Sequence, residues 1–280
     1  MYYLLLSVAA VLFASQFLFN QMFQREYGDT LYSALIFNLY TSLISFFAML
    51  AINGFRMHFS VFSVAIAFIY SFVSISYTYV SIKAFSMVNL SVYSVFAMLG
   101  GMLLPFMYGI IFGNEKLTAV KALCCILIAA ALLLTLTKGK KDKPIYYILV
   151  FVLNGLGGVL SAIHQSGANA VESVDFMALN RLMSFALCTA IWALFFRKSL
   201  RINKKASMYS AVFALFCGFG NLLALIALKH LPASVQYPII TGGVMVISLF
   251  ISIARKEEIT YKNVISTILA FAASGLMMLS

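Results

Sequence analysis

Apolar stretches of about twenty residues recur from one end of this sequence to the other, and no other feature constrains its fold as strongly. At ~1.5 Å per residue, a helix of that length crosses a hydrocarbon core. The pattern predicts spans near 2–23, 31–52, 60–82, 88–112, 118–137, 144–164, 174–196, 207–228, 232–254 and 260–279. Backbone inside a bilayer must bond within a helix or a closed barrel. A barrel would show alternating segments of about ten residues, and the sequence has none. Composition agrees, with 63% hydrophobic residues, 10% charged and a mean hydropathy of +1.01. A soluble exterior usually needs about a quarter of its residues charged. The expected fold class is an all-α polytopic membrane protein with about ten transmembrane helices.

The net charge of +11 does not point to nucleic acid, because the basic residues sit at span ends and no hydrophilic stretch forms a basic domain. It points to orientation instead. The loops after odd-numbered spans, with adjoining helix ends, hold fourteen Lys and Arg: Arg25, Lys83, Lys138, Lys140, Lys141, Lys143, Arg197, Lys198, Arg201, Lys204, Lys205, Arg255, Lys256 and Lys262. The loops after even-numbered spans hold four, Arg56, Lys116, Lys121 and Lys229. The richer side belongs in the cytoplasm, which puts both termini outside. The first span has no basic segment before it, so a retained helix is expected rather than a cleaved signal. The cysteines Cys124, Cys125, Cys188 and Cys217 all fall within spans, at spacings that suit neither disulfides nor zinc, and are expected to pack.

The chain also repeats itself. An offset of 142 positions brings Asn38 onto Asn180, Gly100–Gly101 onto Gly242–Gly243, and Glu115-Lys116-Leu117-Thr118 onto Glu257-Glu258-Ile259-Thr260. The end of the third span, SIKAF, matches that of the eighth, ALKHL, after a four-residue gap. This divides the chain into a first five-helix repeat over 1–137, a basic linker over 138–143 and a second repeat over 144–280. Five is odd, so the second repeat enters the membrane upside down. Inverted repeats are a recurring architecture of secondary transporters.

With the Glu-x-Leu/Ile-Thr element opening the last helix of each half, and the Asn180-Arg181 helix, the chain resembles the drug/metabolite transporter superfamily, in its ten-helix EamA-type form. The resemblance runs over nearly the whole chain. It implies export or exchange of small molecules across the cell membrane, with amino acids, other metabolites and drugs as substrate classes. It also implies cytoplasmic termini, against the charge count. Members commonly carry a strongly basic loop after the second helix, where this chain has only Arg56.

Polar residues within spans are costly unless they face protein or water. Gln16 and Asn20 share one face of the first span, and Asn154, Gly158, Ser161 and Gln165 form a stripe along the sixth beside His164. Tyr70, Ser74, Tyr77 and Ser81 do so on the third, Asn180, Arg181 and Ser184 on the seventh, and Asn221 lies in the eighth. Tyr93, Gln236 and Tyr237 flank breaks in the fourth and ninth spans. The candidate substrate contacts are Gln16, Asn20, Tyr77, Tyr93, Asn154, Ser161, His164, Asn180, Arg181, Asn221, Gln236 and Tyr237. The candidate hinges are Gly100, Gly101, Pro105, Pro238, Gly242 and Gly243. For these residues the competing reading is helix packing and interhelical hydrogen bonding.

All eight acidic residues lie in loops or at span ends, and the first span has Gln16 and Asn20 where a proton-coupled multidrug branch of the superfamily has an embedded glutamate. A carrier or facilitator for neutral or anionic, amino acid-like solutes therefore fits better than proton-coupled drug efflux. A membrane-embedded enzyme would need a catalytic constellation; His58, His164 and His230 are scattered, and no HExxH, GxSxG or CxxC occurs. No motif calls for a metal or cofactor, and the expected partners are a small-molecule substrate and the lipid bilayer.

Overall fold

The computed structural model describes residues 2–112, 118–135, 144–196, 202–228, 230–231 and 233–277, without the side chains at 225, 228, 233–235, 237 and 238. The linker 138–143, the first Glu115-Lys116-Leu117 element, and Arg197, Lys198, Arg201, Lys229 and Ser280 lie outside the described residues.

The described chain is helical throughout, with ten α-helices: α1 Tyr2–Tyr27, α2 Leu31–Ile52, α3 Val61–Phe85, α4 Leu90–Phe112, α5 Ala119–Thr135, α6 Ile145–Ser166, α7 Ser173–Ile191, α8 Lys204–Leu228, α9 Ala233–Ala254 and α10 Tyr261–Met277. A π-helical turn, Trp192–Phe196, extends α7. Seven of the described helices (α1 to α4 and α6 to α8) are long and apolar enough to span a bilayer alone. The α5 and α10 helices are shorter, at 17 residues each. This is a multi-pass membrane protein.

The helices α1 and α3 run beyond their predicted ends, to Tyr27 and Phe85. Hydropathy stops at a charge, but the helix need not. Arg25 and Lys83 occupy last turns, where a cation suits the helix dipole. Each also has a carboxylate, Arg25 reaching Glu257 at 2.8 Å and Lys83 reaching Asp29 at 3.1 Å.

Helix starts follow from capping side chains, whose oxygens accept N–H groups left free in the first turn. Thr30 caps α2, Ser60 caps α3 and the Asn89 carboxamide caps α4. Thr118 accepts from Lys121 N at 3.2 Å and Thr260 from Asn263 N at 3.4 Å. The threonine of each repeated Glu-x-Leu/Ile-Thr element thus caps the helix that it opens.

Packing follows a rule of five. The helix α1 packs on α8 and α9, as α6 packs on α3 and α4; α2 packs on α8, as α7 packs on α3. The pairs α2–α7, α4–α9 and α5–α10 are their own counterparts. An exception is α10, which lies broadly against α9 while α5 only touches α4. Backbones approach closely between α4 and α6, where a Cβ on Gly100 would overlap the Phe151 carbonyl oxygen. A Cβ on Gly158 would overlap Pro105 Cγ, and one on Gly101 would lie 2.7 Å from Asn154 Nδ2. Small residues permit such approaches in membranes, where packing must replace the hydrophobic drive. In this structure Gly100, Gly101 and Pro105, candidates for a hinge, form a tight helix crossing.

Candidate functional site

A cavity of about 150 Å³, with polar and apolar groups in its wall, lies among α2, α3, α6, α7 and α8. Its wall takes Ser45 and Met49 from α2 and Tyr70 from α3. Ser161, His164 and Gln165 come from the end of α6, and Ser173, Phe176, Met177, Asn180 and Arg181 from the start of α7. Cys217, Gly218 and Asn221 come from α8. Arg181 stands eight residues after Ser173, about 12 Å along the helix. The cavity therefore occupies the half of the protein nearer the α2–α3 and α6–α7 loops.

Two turns of α7 build much of this wall, since Phe176, Asn180 and Ser184 follow one another at four-residue spacing on one face. Asp175, 1% exposed, anchors the first of those turns. Its carboxylate accepts from Asn53 Nδ2 at 2.6 Å and from His58 N at 3.2 Å, and lies 2.9 Å from His58 Nδ1. A buried carboxylate needs such partners, and these fasten the α2–α3 loop to the start of α7. Sequence periodicity could not supply this pairing, because its members are more than a hundred residues apart.

Arg181 is partly buried and its Nη2 lies 3.8 Å from Cys217 Sγ, a weak contact. Among the described residues it has no carboxylate partner, and none with an acidic side chain lines the cavity. His164 is stacked against Phe176 with ring centroids 3.7 Å apart, and its Nε2 lies 2.9 Å from Ser63 Oγ.

The two halves differ where the offset of 142 equates them. In the first, Ser42 Oγ donates to Asn38 Oδ1 at 2.7 Å, and Asn38 Nδ2 donates to Thr78 Oγ1 at 3.1 Å. Their counterparts Asn180 and Ser184 are also buried, yet Asn180 Nδ2 and Ser184 Oγ have no partner. The residue equivalent to Thr78 is Gly220 at the offset of 142, or Ala224 with the four-residue gap, and neither carries a hydroxyl. A buried polar group left without a partner costs about 1–3 kcal/mol. The polar pair of the first half is closed on itself, and that of the second is open.

Of the candidate contacts, Ser161, His164, Asn180, Arg181 and Asn221 come together at this cavity. Asn221 spends its amide N–H on Cys217 O at 2.7 Å. The other described candidates lie elsewhere. Tyr93 shares hydrogen bonds of 2.8 Å with Tyr77 and Ser81 and stacks on Phe85, forming a packed plug towards the opposite loops. Asn154 donates to Ala97 O on α4 at 2.6 Å, and Gln236 to Ala224 O on α8 at 2.9 Å. Gln16 and Asn20 each bury an unbonded carbonyl oxygen on α1. Pro238 lies within α9 and Gly242 packs against Ser274 and Phe271. Gly243 packs against Ala10. The side chains of Tyr237 and Pro238 lie outside the described residues. The α2 residues Ser45 and Met49 carried no signal, being one serine and one methionine in an apolar run. Cys217, expected only to pack, lines the cavity.

A larger crevice of about 350 Å³ between α1, α9 and α10 is lined mainly by apolar groups, including Val11 and Phe271, which are exposed on the lipid-facing surface. It offers no charge for a polar solute.

Ten packed helices, five of which line a cavity of about 150 Å³, define a polytopic membrane protein with a small solute-sized cleft. Residues 144–279 match the model of the EamA-like transporter family, which is part of the drug/metabolite transporter superfamily. The resemblance read from the sequence is borne out over these residues, and the match suggests a membrane transporter of the drug/metabolite type. A solved crystal structure at 15% identity shares the fold with a TM-score of 0.60, over 99% of this chain and 96% of its own. No curated protein matches the sequence.

Proposed function

We propose that this protein is a secondary transporter or facilitator moving a small neutral or anionic metabolite across the cell membrane by alternating access, in export or exchange. The observation that carries this reading is Arg181, a guanidinium that has no carboxylate partner among the described residues, in a cavity lined by no acidic side chain among them. A buried cation is normally paired. Here the missing partner is supplied by the solute, whose carboxylate or other planar anion suits the guanidinium fork.

Alternating access is supported by the rule of five in the packing, since helices with equivalent neighbours can exchange roles. The cavity lies towards the α2–α3 and α6–α7 loops, while the Tyr77–Tyr93 plug fills the opposite end. By the charge count the first of these sides is the outside, and both termini lie there. The absence of an acidic lining favours this reading over proton-coupled efflux of cationic drugs, and the scattered histidines disfavour an enzyme.

Arg181→Leu should insert and fold, because it removes a charge from an apolar span. It should weaken binding of an anionic solute by roughly 10–100-fold, the loss of a charge-assisted hydrogen bond. Arg181→Lys should recover only part of this, a point ammonium being unable to reproduce the fork. Thermal-shift titrations of the purified variants check both. Unchanged affinity in Arg181→Leu would make the residue an interfacial anchor and remove the anionic preference.

A further inference from the structure

A glycine within a helix costs stability relative to alanine, and membrane helices keep one where a neighbouring helix must come close. Gly100, Gly155, Gly158, Gly220, Gly242 and Gly243 have that reason, since a Cβ on each would come to 2.9 Å or less from a facing helix. Gly218 on α8 does not. A Cβ there would meet Met49 Cε at 3.4 Å and Ala48 Cβ at 4.0 Å, both on α2 and both at ordinary contact distance. Alanine at this position would pack without strain and favour the helix. Helix crossing therefore leaves this glycine unexplained.

Its place in the wall of the cavity supplies a reason. Gly218 lines that cavity between Cys217 and Asn221, and Met49, whose tip faces it, lines the same space. Cys217 Sγ lies 3.8 Å from Arg181 Nη2, so the next residue along α8 stands at the depth of the guanidinium. The cavity is small, at about 150 Å³. An engineered protein cavity of about that size takes up benzene, so a solute of roughly six to eight heavy atoms fits. In so small a space each carbon added to the wall displaces about one carbon of solute.

We infer that Gly218 sets the bulk that a solute can carry beside its carboxylate, with the tip of Met49 as the adjustable side of that limit. The site then admits short carboxylates branched next to the carboxyl group as well as straight ones. A side chain at position 218 would confine it to the straight ones. The inference rests on the reading of this cavity as the solute site and of Arg181 as the partner of the carboxylate, but it concerns space and not hydrogen bonding.

The test compares butyrate with 2,2-dimethylbutyrate, and butyramide with 2,2-dimethylbutyramide, titrated against the full-length protein in lipid nanodiscs. Both acids are expected to bind the native protein, the branched one within about threefold of the straight one. Gly218→Ala should lower the ratio of branched to straight affinity about threefold, and Gly218→Val about tenfold. Met49→Ala, which removes the facing tip, should restore the ratio in Gly218→Ala to within about twofold of the native value. The alanine variant keeps ordinary contacts, so it decides the matter even if the valine variant does not fold. If both acids bind in an Arg181-dependent way and Gly218→Ala leaves the ratio unmoved, this inference falls and the reading of Arg181 stands. A native protein that binds the branched acid more than tenfold more weakly than butyrate overturns it equally. If only the amides bind, and their ratio falls in Gly218→Ala, the reading of Arg181 falls and Gly218 keeps its role. If neither acids nor amides bind, both fall.

Discussion

Gly100→Leu should abolish accumulation of folded protein. A Cβ at this position would overlap the carbonyl oxygen of Phe151 and lie 2.7 Å from its C and Cα atoms. These are backbone atoms of the facing helix and cannot rotate away. The clash is reciprocal, because a Cβ at Gly155 would lie 2.7 Å from the Gly100 oxygen and from Leu104. Overpacking costs about 1–3 kcal/mol where neighbours can adjust, and more where they cannot. Here α4 would have to leave α6, the contact next to the buried core around Tyr93, Phe96 and Tyr147. Gly275→Ala is the control, since nothing lies within 4 Å of a Cβ at that position. Size-exclusion profiles and melting curves in detergent report the outcome. A Gly100→Leu protein that is monodisperse and melts within a few degrees of the parent would mean that this crossing is not the one in the membrane.

Glu257→Gln should open the side of the protein that this structure keeps shut. Glu257 is only 7% exposed in its side chain, and its carboxylate joins three helices. Oε1 accepts from Arg25 Nη2 at the end of α1 at 2.8 Å, and Oε2 from Leu90 N at the start of α4 at 3.1 Å. Ser252 Oγ on α9 donates to Oε2 at 3.0 Å. Arg255 Nε is 3.7 Å from Oε1, near enough to add charge attraction but too far for a hydrogen bond. The turn that presents the carboxylate holds Lys256 at φ 55°, a left-handed conformation costly for a residue with a side chain. Hydrogen bonds to a charge contribute about 1.5–3 kcal/mol each, and neutralising the carboxylate weakens several together. Arg25 is half exposed, so its share is reduced by solvent.

Gln21, fully buried one turn before Arg25 and with neither end of its amide bonded, provides a reporter position. In a protein lacking the native cysteines, Gln21→Cys should be protected from a membrane-impermeant maleimide on both sides. Adding Glu257→Gln should raise labelling several-fold from one side. Inverted vesicles should label and intact cells should not, if the charge count gives the orientation. Labelling only in intact cells would reverse the orientation and leave the clamp intact. Protection unchanged by Glu257→Gln would remove the clamp.

How far the sequence reached is clearest in particular residues. The ten helices were legible because crossing a bilayer requires long apolar runs whatever their neighbours, and departures such as Tyr27 and Phe85 arise where a charged residue continues a helix. Thr118 and Thr260 were visible as a repeated element, and capping supplies its physical reason. Arg181 stood out because a cation in an apolar span is conspicuous in any sequence. The polar stripes were less informative. Periodicity tells which residues share a face, not what that face meets. Asn154 and Ser161 share one face of α6, yet Asn154 bonds α4 while Ser161 reaches the cavity. Tyr77 and Tyr93 pair with each other for the same reason, and neither helix alone reveals its partner. The surroundings of His164 were beyond reach, since Ser63 Oγ, which meets the imidazole, is itself held by Ser60 and by Val171 N from a distant segment of chain.

Solute movement through the Arg181 cavity is the central claim, and counterflow tests it most directly. Proteoliposomes loaded with a millimolar short-chain carboxylate and diluted into a trace of the same acid in radiolabelled form, with no proton gradient, are predicted to accumulate label transiently. Liposomes without protein, and those carrying Arg181→Leu, are predicted to show only leakage. Accumulation that is equal with Arg181→Leu, or that requires an imposed proton gradient, would contradict the account.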